Sequence, residues 1–304
     1  MNISFGDSAG AAFSLSHALN KAGETAINMR ANDNYISYPT IANMREYDKE
    51  AIKRMILKSD VLVFHTTVKP FMQAFHLKPK ELADMKKILY FHGSDCRKYG
   101  ETIIEHANES LGDYQILVST PDLLNLVPEG SKWLPVCRSF NEIHSKYARS
   151  KKDQAALDRF DEPQTKIILG HAPTNPEGKG THVFLRVITQ VCEKIPNSEY
   201  LGIHLLPWDA SLRKMGYLDV FYDQCKVGAY GTAAVEASIF KIPVICPVKP
   251  EVSDRMEALS GKPQPFIQFN NEDELLDISL LLCTEPKLRV LFGKKAYTYC
   301  KAVH

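Results

Sequence analysis

The residues best suited by type and spacing to do chemistry lie between Asp219 and Ile245. An apolar strand ends at Asp223, and a glycine-rich loop with Gly228, Tyr230 and Gly231 follows it. A helix is expected from about Gly231. The first amides of a helix, at the positive end of its dipole, form an anion site. Here those amides belong to Gly231 and Thr232. Glu236 lies about a turn and a half into the helix, where a carboxylate can accept hydrogen bonds from a ribose diol while a diphosphate sits on the amides. The plain alternative is a solvated helix glutamate. Its neighbours Ala233, Ala234, Val235 and Ala237 speak against that, because small apolar residues mark a largely buried helix.

A second loop, Gly170 to Thr181, places Lys179 between Gly178 and Gly180 just before a helix. A lysine there neutralises a diphosphate leaving group; the alternative is an exposed loop lysine. In the first half of the chain, His92 follows the apolar run ending at Phe91 and should emerge at a strand's carboxyl end. It either contacts sugar hydroxyls or caps a loop. The turn from Gly6 to Ala11 either places the amides of Gly10 and Ala11 near a phosphate or acceptor, or is only a tight turn. His65 and His171 also end strands, and structural roles are expected for both.

These residues need elements to position them. Short β-rich runs at Ile3–Phe5, Thr25–Met29, Val61–His65, Ile88–Phe91 and Gln115–Val118 alternate with helical patterns. The clearest of these helices is Gly10–Ala22, with Ala12, Leu15, Ala18, Leu19 and Ala22 on one face. This alternation predicts a parallel, doubly wound sheet. It stops over the polar stretch 138–163, which contains the basic run Arg149–Lys152 and reads as a connection that holds a helix. It then resumes with strands at Lys166–Leu169, Tyr200–Ile203, Val220–Tyr222, Val244–Cys246 and Phe266–Gln268. Helices are expected at Thr181–Lys194, Gly231–Phe240, Glu251–Gly261, Asp273–Leu282 and Glu285–Cys300. The expected class is α/β, with two Rossmann-like domains, 1–145 and 146–304, facing across a cleft at the carboxyl ends of both sheets.

Composition agrees with a packed globular chain: 304 residues, 44% hydrophobic and 24% charged. A net charge of +1 gives no bulk attraction to nucleic acid or acidic membranes. The seven cysteines form no CxxC pair, as expected of reduced thiols in the cytoplasm. Met1–Gly10 does not read as a signal peptide, and no uncharged run is long enough for a bilayer. Several signatures fail. The first turn is not GxGxxG, and Gly180 follows Lys179 where a P-loop needs Ser or Thr. HExxH, GxSxG, zinc spacing and a DxD metal clamp are all missing, so no cofactor or metal ion is expected.

Together these segments resemble the GT-B retaining glycosyltransferases of glycosyltransferase family four. In the first half the resemblance rests on Gly6–Gly23, on His92-Gly-Ser-Asp95, and on Val118–Leu124 with Trp133-Leu-Pro135. In the second half it is stronger, in His171-Ala-Pro with Lys179-Gly-Thr and in Asp223–Glu236 through Pro243. The family implies a nucleoside-diphosphate-sugar donor held mainly by the second domain, transfer without a metal ion, and an acceptor that is a glycan, lipid or protein. By analogy Lys179, Glu236 and His92 carry the catalytic work. Gly10, Ala11, Gly228, Tyr230, Gly231 and Thr232 join Lys179 and Glu236 in binding the donor.

Three features depart from the family pattern. Its members usually carry a second glutamate eight residues before the ribose-binding one, to contact the donor sugar; that position is Gly228. A basic residue often precedes the loop lysine where this chain has Pro176. The family's chain usually runs on past the last helix to cross back, and this sequence ends at His304, about where that segment would begin. The departures favour a second reading, a non-catalytic nucleotide-sugar-binding protein or partner subunit of the same fold. A sugar-nucleotide epimerase is a third, but it needs acid and base carboxylates that the sequence does not identify.

Overall fold

The computed structural model describes residues 1–6, 10–30, 36–40, 42–43, 48–65, 68–148 and 166–304. The basic run Arg149–Lys152 and the end of the expected connection lie outside them. The chain divides into two compact units, Met1–Arg138 and Ser139–His304.

The first unit is built on β1 (Asn2–Phe5), β2 (Ala26–Arg30), β3 (Ala42–Asn43), β4 (Val61–Phe64), β5 (Lys86–Phe91), β6 (Gln115–Val118) and β7 (Lys132–Trp133). Helices α1 (Ala11–Lys21), α2 (Lys49–Leu57), α3 (Lys69–Ala74) and α4 (Gly93–Leu111) connect them. Strand order is β3-β2-β1-β4-β5-β6-β7, and every pairing is parallel. Phe5 is in register with Met29 on one side and Phe64 on the other. The order reverses between β1 and β4, so Gly6 and His65 stand at the switch point, where open α/β sheets hold ligands. Ile3, Leu62, Phe64, Leu89 and Phe91 form the core beneath.

In α1 the buried side is Ala11, Ala12, Ser14 and Ser16, while Ala18 and Ala22 of the expected apolar stripe are exposed. The buried guanidinium of Arg138 donates to Ser14 Oγ at 2.8 Å, which accounts for the inward serine.

The second unit opens with α5 (Phe140–Tyr147), inside the stretch expected to be a connection. Its Phe140, Ile143 and Tyr147 pack with Leu212, Met215 and Tyr299 of this unit. The sheet is β8 (Ile167–His171), β9 (Ser198–Gly202), β10 (Val220–Tyr222) and β11 (Val244–Ile245), ordered β11-β10-β8-β9 and parallel. Around it run α6 (Pro176–Lys179), α7 (Thr181–Lys194), α8 (Trp208–Met215), α9 (Thr232–Ile239), α10 (Pro250–Ser260), α11 (Glu272–Thr284) and α12 (Pro286–Val303).

The expected strand Phe266–Gln268 is reduced to a single bridge from Ile267 to Ile245. The Gln268 side chain replaces part of the ladder. It accepts from Val248 N–H at 2.7 Å and donates to the Cys246 carbonyl at 3.0 Å. The switch point of this sheet lies between β8 and β10, so His171 and Asp223 end the two strands that flank it. Among the described residues, no helix is long and apolar enough to cross a membrane.

Candidate functional site

In the second unit the site is organised by Asp223, a fully buried carboxylate one residue beyond β10. Its Oδ1 accepts from Lys179 Nζ at 2.8 Å, and its Oδ2 accepts from Gly231 N–H at 2.6 Å. The Cys246 thiol lies 3.7 Å from Oδ2. A single acid thus ties the lysine loop to the loop before α9. From sequence, Asp223 has no role beyond ending a strand. The available signal was a carboxylate directly after a fully apolar strand, a place that requires a paired charge.

The lysine loop is fixed on both flanks. His171 is buried; its Nδ1 meets the Tyr222 carbonyl at 2.7 Å and its Nε2 meets Thr181 Oγ1 at 2.8 Å. A carbonyl only accepts, so Nδ1 carries the proton and Nε2 accepts from the threonine hydroxyl. Burial holds this imidazole down to about 4, which suits a neutral structural histidine. Asn175 caps α6 through Gly178 N–H. Gly180 has φ 73°, and a Cβ there would lie 2.2 Å from Cys225 Sγ. Cys225 N–H also donates to the Lys179 carbonyl at 3.1 Å. The 179–180 backbone therefore leans on the loop after Asp223, and the Lys179 ammonium comes to lie beside Gly231.

Gly231 is needed for a steric reason. An added Cβ would sit 3.0 Å from Lys179 Nζ and 3.2 Å from Asp223 Oδ1. Gly231→Ala is expected to push the ion pair apart and cost about 1–3 kcal/mol, as overpacking generally does. Urea unfolding of the second unit checks this, and a variant within about 0.5 kcal/mol of the parent would contradict it.

The first-turn amides divide their work. Gly231 N–H is committed to Asp223, so its expected phosphate contact is already occupied by a protein group. Among the described residues, the N–H groups of Thr232 and Ala233 have no hydrogen-bond partner. Both amides belong to the first turn of α9. Glu236 is buried at 4% exposure, and its Oε1 accepts from the Trp208 indole N–H at 2.8 Å. Trp208, at the start of α8, thus orients the carboxylate, a partnership that sequence reasoning missed.

The Tyr230 side chain is turned into the core. It is 3% exposed, its ring is 5.0 Å from that of Phe266, and its hydroxyl bonds His304 Nε2 at 3.0 Å. The expected donor contact is therefore limited to its backbone. Gly228 takes φ 76°, and its carbonyl accepts from Lys249 N–H at 2.9 Å.

In the first unit, His92 follows β5 directly and holds the N-cap position of α4 without a side-chain capping bond. It is buried, and its Nε2 lies 2.9 Å from Nδ1 of His65, an equally buried residue at the end of β4. The rings are coplanar to within 1°, and the Tyr90 ring packs 4.4 Å from His92. Burial pushes His65 down to about 3. Burial, then His65 and Arg138, hold His92 well below the usual histidine range.

The pair is accordingly neutral and shares one proton across the N···N contact. Its outer nitrogens, His65 Nε2 and His92 Nδ1, are buried and have no partner among the described residues. In a neutral pair one outer atom is a donor and the other an acceptor, the pattern that meets a hydroxyl. His92 therefore offers a ligand Nδ1 only. Gly6, at φ 76°, lies against the His65 carbonyl, where a Cβ would stand 2.9 Å away. Gly10 begins α1 at φ 68° beneath the Tyr38 ring, which an added Cβ would strike at 2.5 Å. Ala11 is packed in the core with Val63, Tyr90 and Val136. The turn residues 7–9 lie outside the described residues.

No protein-family model and no curated protein matches this sequence. Solved structures match it along its whole length. Anabaena HepE in complex with UDP and glucose is similar with a TM-score of 0.62 at 13% identity, over 100% of this chain and 95% of that one. The chain has the GT-B fold. Sucrose-phosphate synthase from Thermosynechococcus elongatus is similar with a TM-score of 0.63 at 12% identity, over 100% and 94%. WaaG, a glycosyltransferase involved in lipopolysaccharide biosynthesis, is similar with a TM-score of 0.56 at 11% identity, over 99% and 95%. At these identities the likeness is one of fold. Within each GT-B unit, the cluster described above stands at the carboxyl edge of the sheet, beside the switch point.

Proposed function

We propose that this chain is a retaining glycosyltransferase that moves a sugar from a nucleoside-diphosphate sugar to a glycan, lipid or protein acceptor without a metal ion, in the cytoplasm. The observation that carries the proposal is the Lys179–Asp223–Gly231 lock at the start of α9, with Glu236 buried one turn further on. Lys179 and the amides of Thr232 and Ala233 take the diphosphate, and Glu236, held by Trp208, takes the ribose. In the first unit, His92 Nδ1 and the backbone of Gly10 and Ala11 are the groups proposed to meet ligand hydroxyls and phosphate. The donor's C1–O bond to the diphosphate loosens, the acceptor hydroxyl attacks from the same face, and its proton passes to the departing phosphate oxygen. The protein supplies position and stabilises the leaving charge. The GT-B neighbour in complex with UDP makes uracil the first base to try.

The test is release of nucleoside diphosphate from UDP-, GDP- and ADP-sugars over an acceptor panel, with and without EDTA. Turnover that is unchanged in EDTA is expected. Turnover abolished by EDTA and restored by magnesium or manganese contradicts metal-free transfer. Binding without release on any acceptor supports the non-catalytic reading instead, which Gly228 and Pro176 favour.

A further inference from the structure

A cation from the loop before α10, Lys249, folds over the loop before α9. Gly228 is left-handed, and a Cβ built on it would fall 2.5 Å from Cγ, 2.8 Å from Cδ and 2.8 Å from Cε of Lys249. The lysine stem therefore fills the space that a side chain at 228 would occupy. Its root is rigid. Lys249 N–H donates to the Gly228 carbonyl, and its own carbonyl accepts from Val252 and Ser253 at the start of α10. Pro250 follows it, and the preceding Val248 is held by Gln268. Lys249 is exposed, and among the described residues it pairs with no carboxylate. This is a fixed base carrying an unneutralised ammonium, folded back over a glycine.

The direction of the donor follows from the site itself. If the diphosphate rests on Thr232 and Ala233 and the ribose on Glu236, the nucleoside runs along α9. The sugar, beyond the other phosphate, must then lie over the loop that precedes the helix, and Gly228 is three residues before its N-cap, Gly231. We propose that Lys249 is a specificity-determining residue for a donor sugar bearing a carboxylate, a nucleoside-diphosphate uronate, whose carboxylate pairs with the ammonium over Gly228. This rests on the nucleotide-sugar reading above. A neutral hexose has no charge to offer, and a carboxylate gains a charge-assisted hydrogen bond.

The experiment is isothermal titration of the full chain with UDP, UDP-glucose and UDP-glucuronate, or the same set on whichever base binds best. Binding of the uronate at least about tenfold tighter than the hexose is expected. In Lys249→Ala and Lys249→Gln, that ratio should fall to within about twofold of unity, and Lys249→Arg should restore it. The parent's preference should also shrink at 0.5 M salt, roughly where surface charges are screened. If Lys249→Ala weakens UDP as much as UDP-glucuronate, Lys249 is a phosphate contact and the proposal is overturned. If the parent binds both sugars equally, the proposal is overturned while the nucleotide-sugar reading stands. If no nucleotide binds at all, the reading beneath it fails as well.

Discussion

Lys179→Met is expected to destabilise the second unit by about 3 kcal/mol, the low end of the range for breaking a buried ion pair. The acid it strands, Asp223, has a side chain 0% exposed, and the lysine side chain itself is 18% exposed, which places the effect at the low end. Without the ammonium, Asp223 keeps only neutral partners, the Gly231 N–H and the Cys246 thiol. The double variant Lys179→Met with Asp223→Asn should recover most of the loss, because both charges go and the asparagine oxygen still accepts from Gly231 N–H. Urea unfolding followed by Trp208 fluorescence reads this unit. A single variant as stable as the parent would show that the pair does not lock the two loops. The double variant also separates roles, since restored folding with nucleotide binding still lost assigns Lys179 to the ligand.

Acid should unfold the first unit well before carboxylate protonation explains it. His65 and His92 are neutral in the folded chain, with His65 at about 3 and His92 well below the usual range, both chiefly from burial. In the unfolded chain a histidine titrates near 6.5, to within about a unit. Below that pH the unfolded chain binds protons that the folded unit refuses, so stability is lost as pH falls. The window runs from about 6.5 down to about 3 for His65. Each histidine contributes up to about 1.4 kcal/mol per pH unit, and the two together somewhat under 3. The chain has two tryptophans, and Trp133 lies in this unit, so a Trp208→Phe background isolates its signal. His65→Asn with His92→Asn should flatten the loss between pH 6.5 and 5 by about that amount. Equal slopes in parent and variant would contradict a neutral buried pair.

The sequence was most readable where local chemistry and periodicity coincide. Gln115–Val118, Val220–Tyr222 and Thr181–Lys194 form as expected, because apolar runs and capping glycines leave little choice. The two-residue strands β3 and β7 carry too few residues for any period to show. Lys179 and Glu236 stood out by residue type, but their partners did not. Asp223 is 44 residues from Lys179, and His65 is 27 from His92, so only the sheet order brings them together. Tyr230 looked like a loop residue, yet its ring serves the core. Gly228 read as a missing glutamate, whereas the chain places the stem of Lys249 over it from another loop.

The central claim is that the start of α9 binds a nucleoside diphosphate, and calorimetry with UDP, GDP and ADP on the parent and on Glu236→Gln tests it most directly. The glutamine keeps an oxygen for the Trp208 indole, so the fold is spared, but its amide N–H₂ cannot accept from a ribose hydroxyl. One of the three diphosphates should bind the parent, and Glu236→Gln should weaken it by about tenfold or more. A parent that binds none of them, or a Glu236→Gln variant that binds as tightly as the parent, would contradict the account.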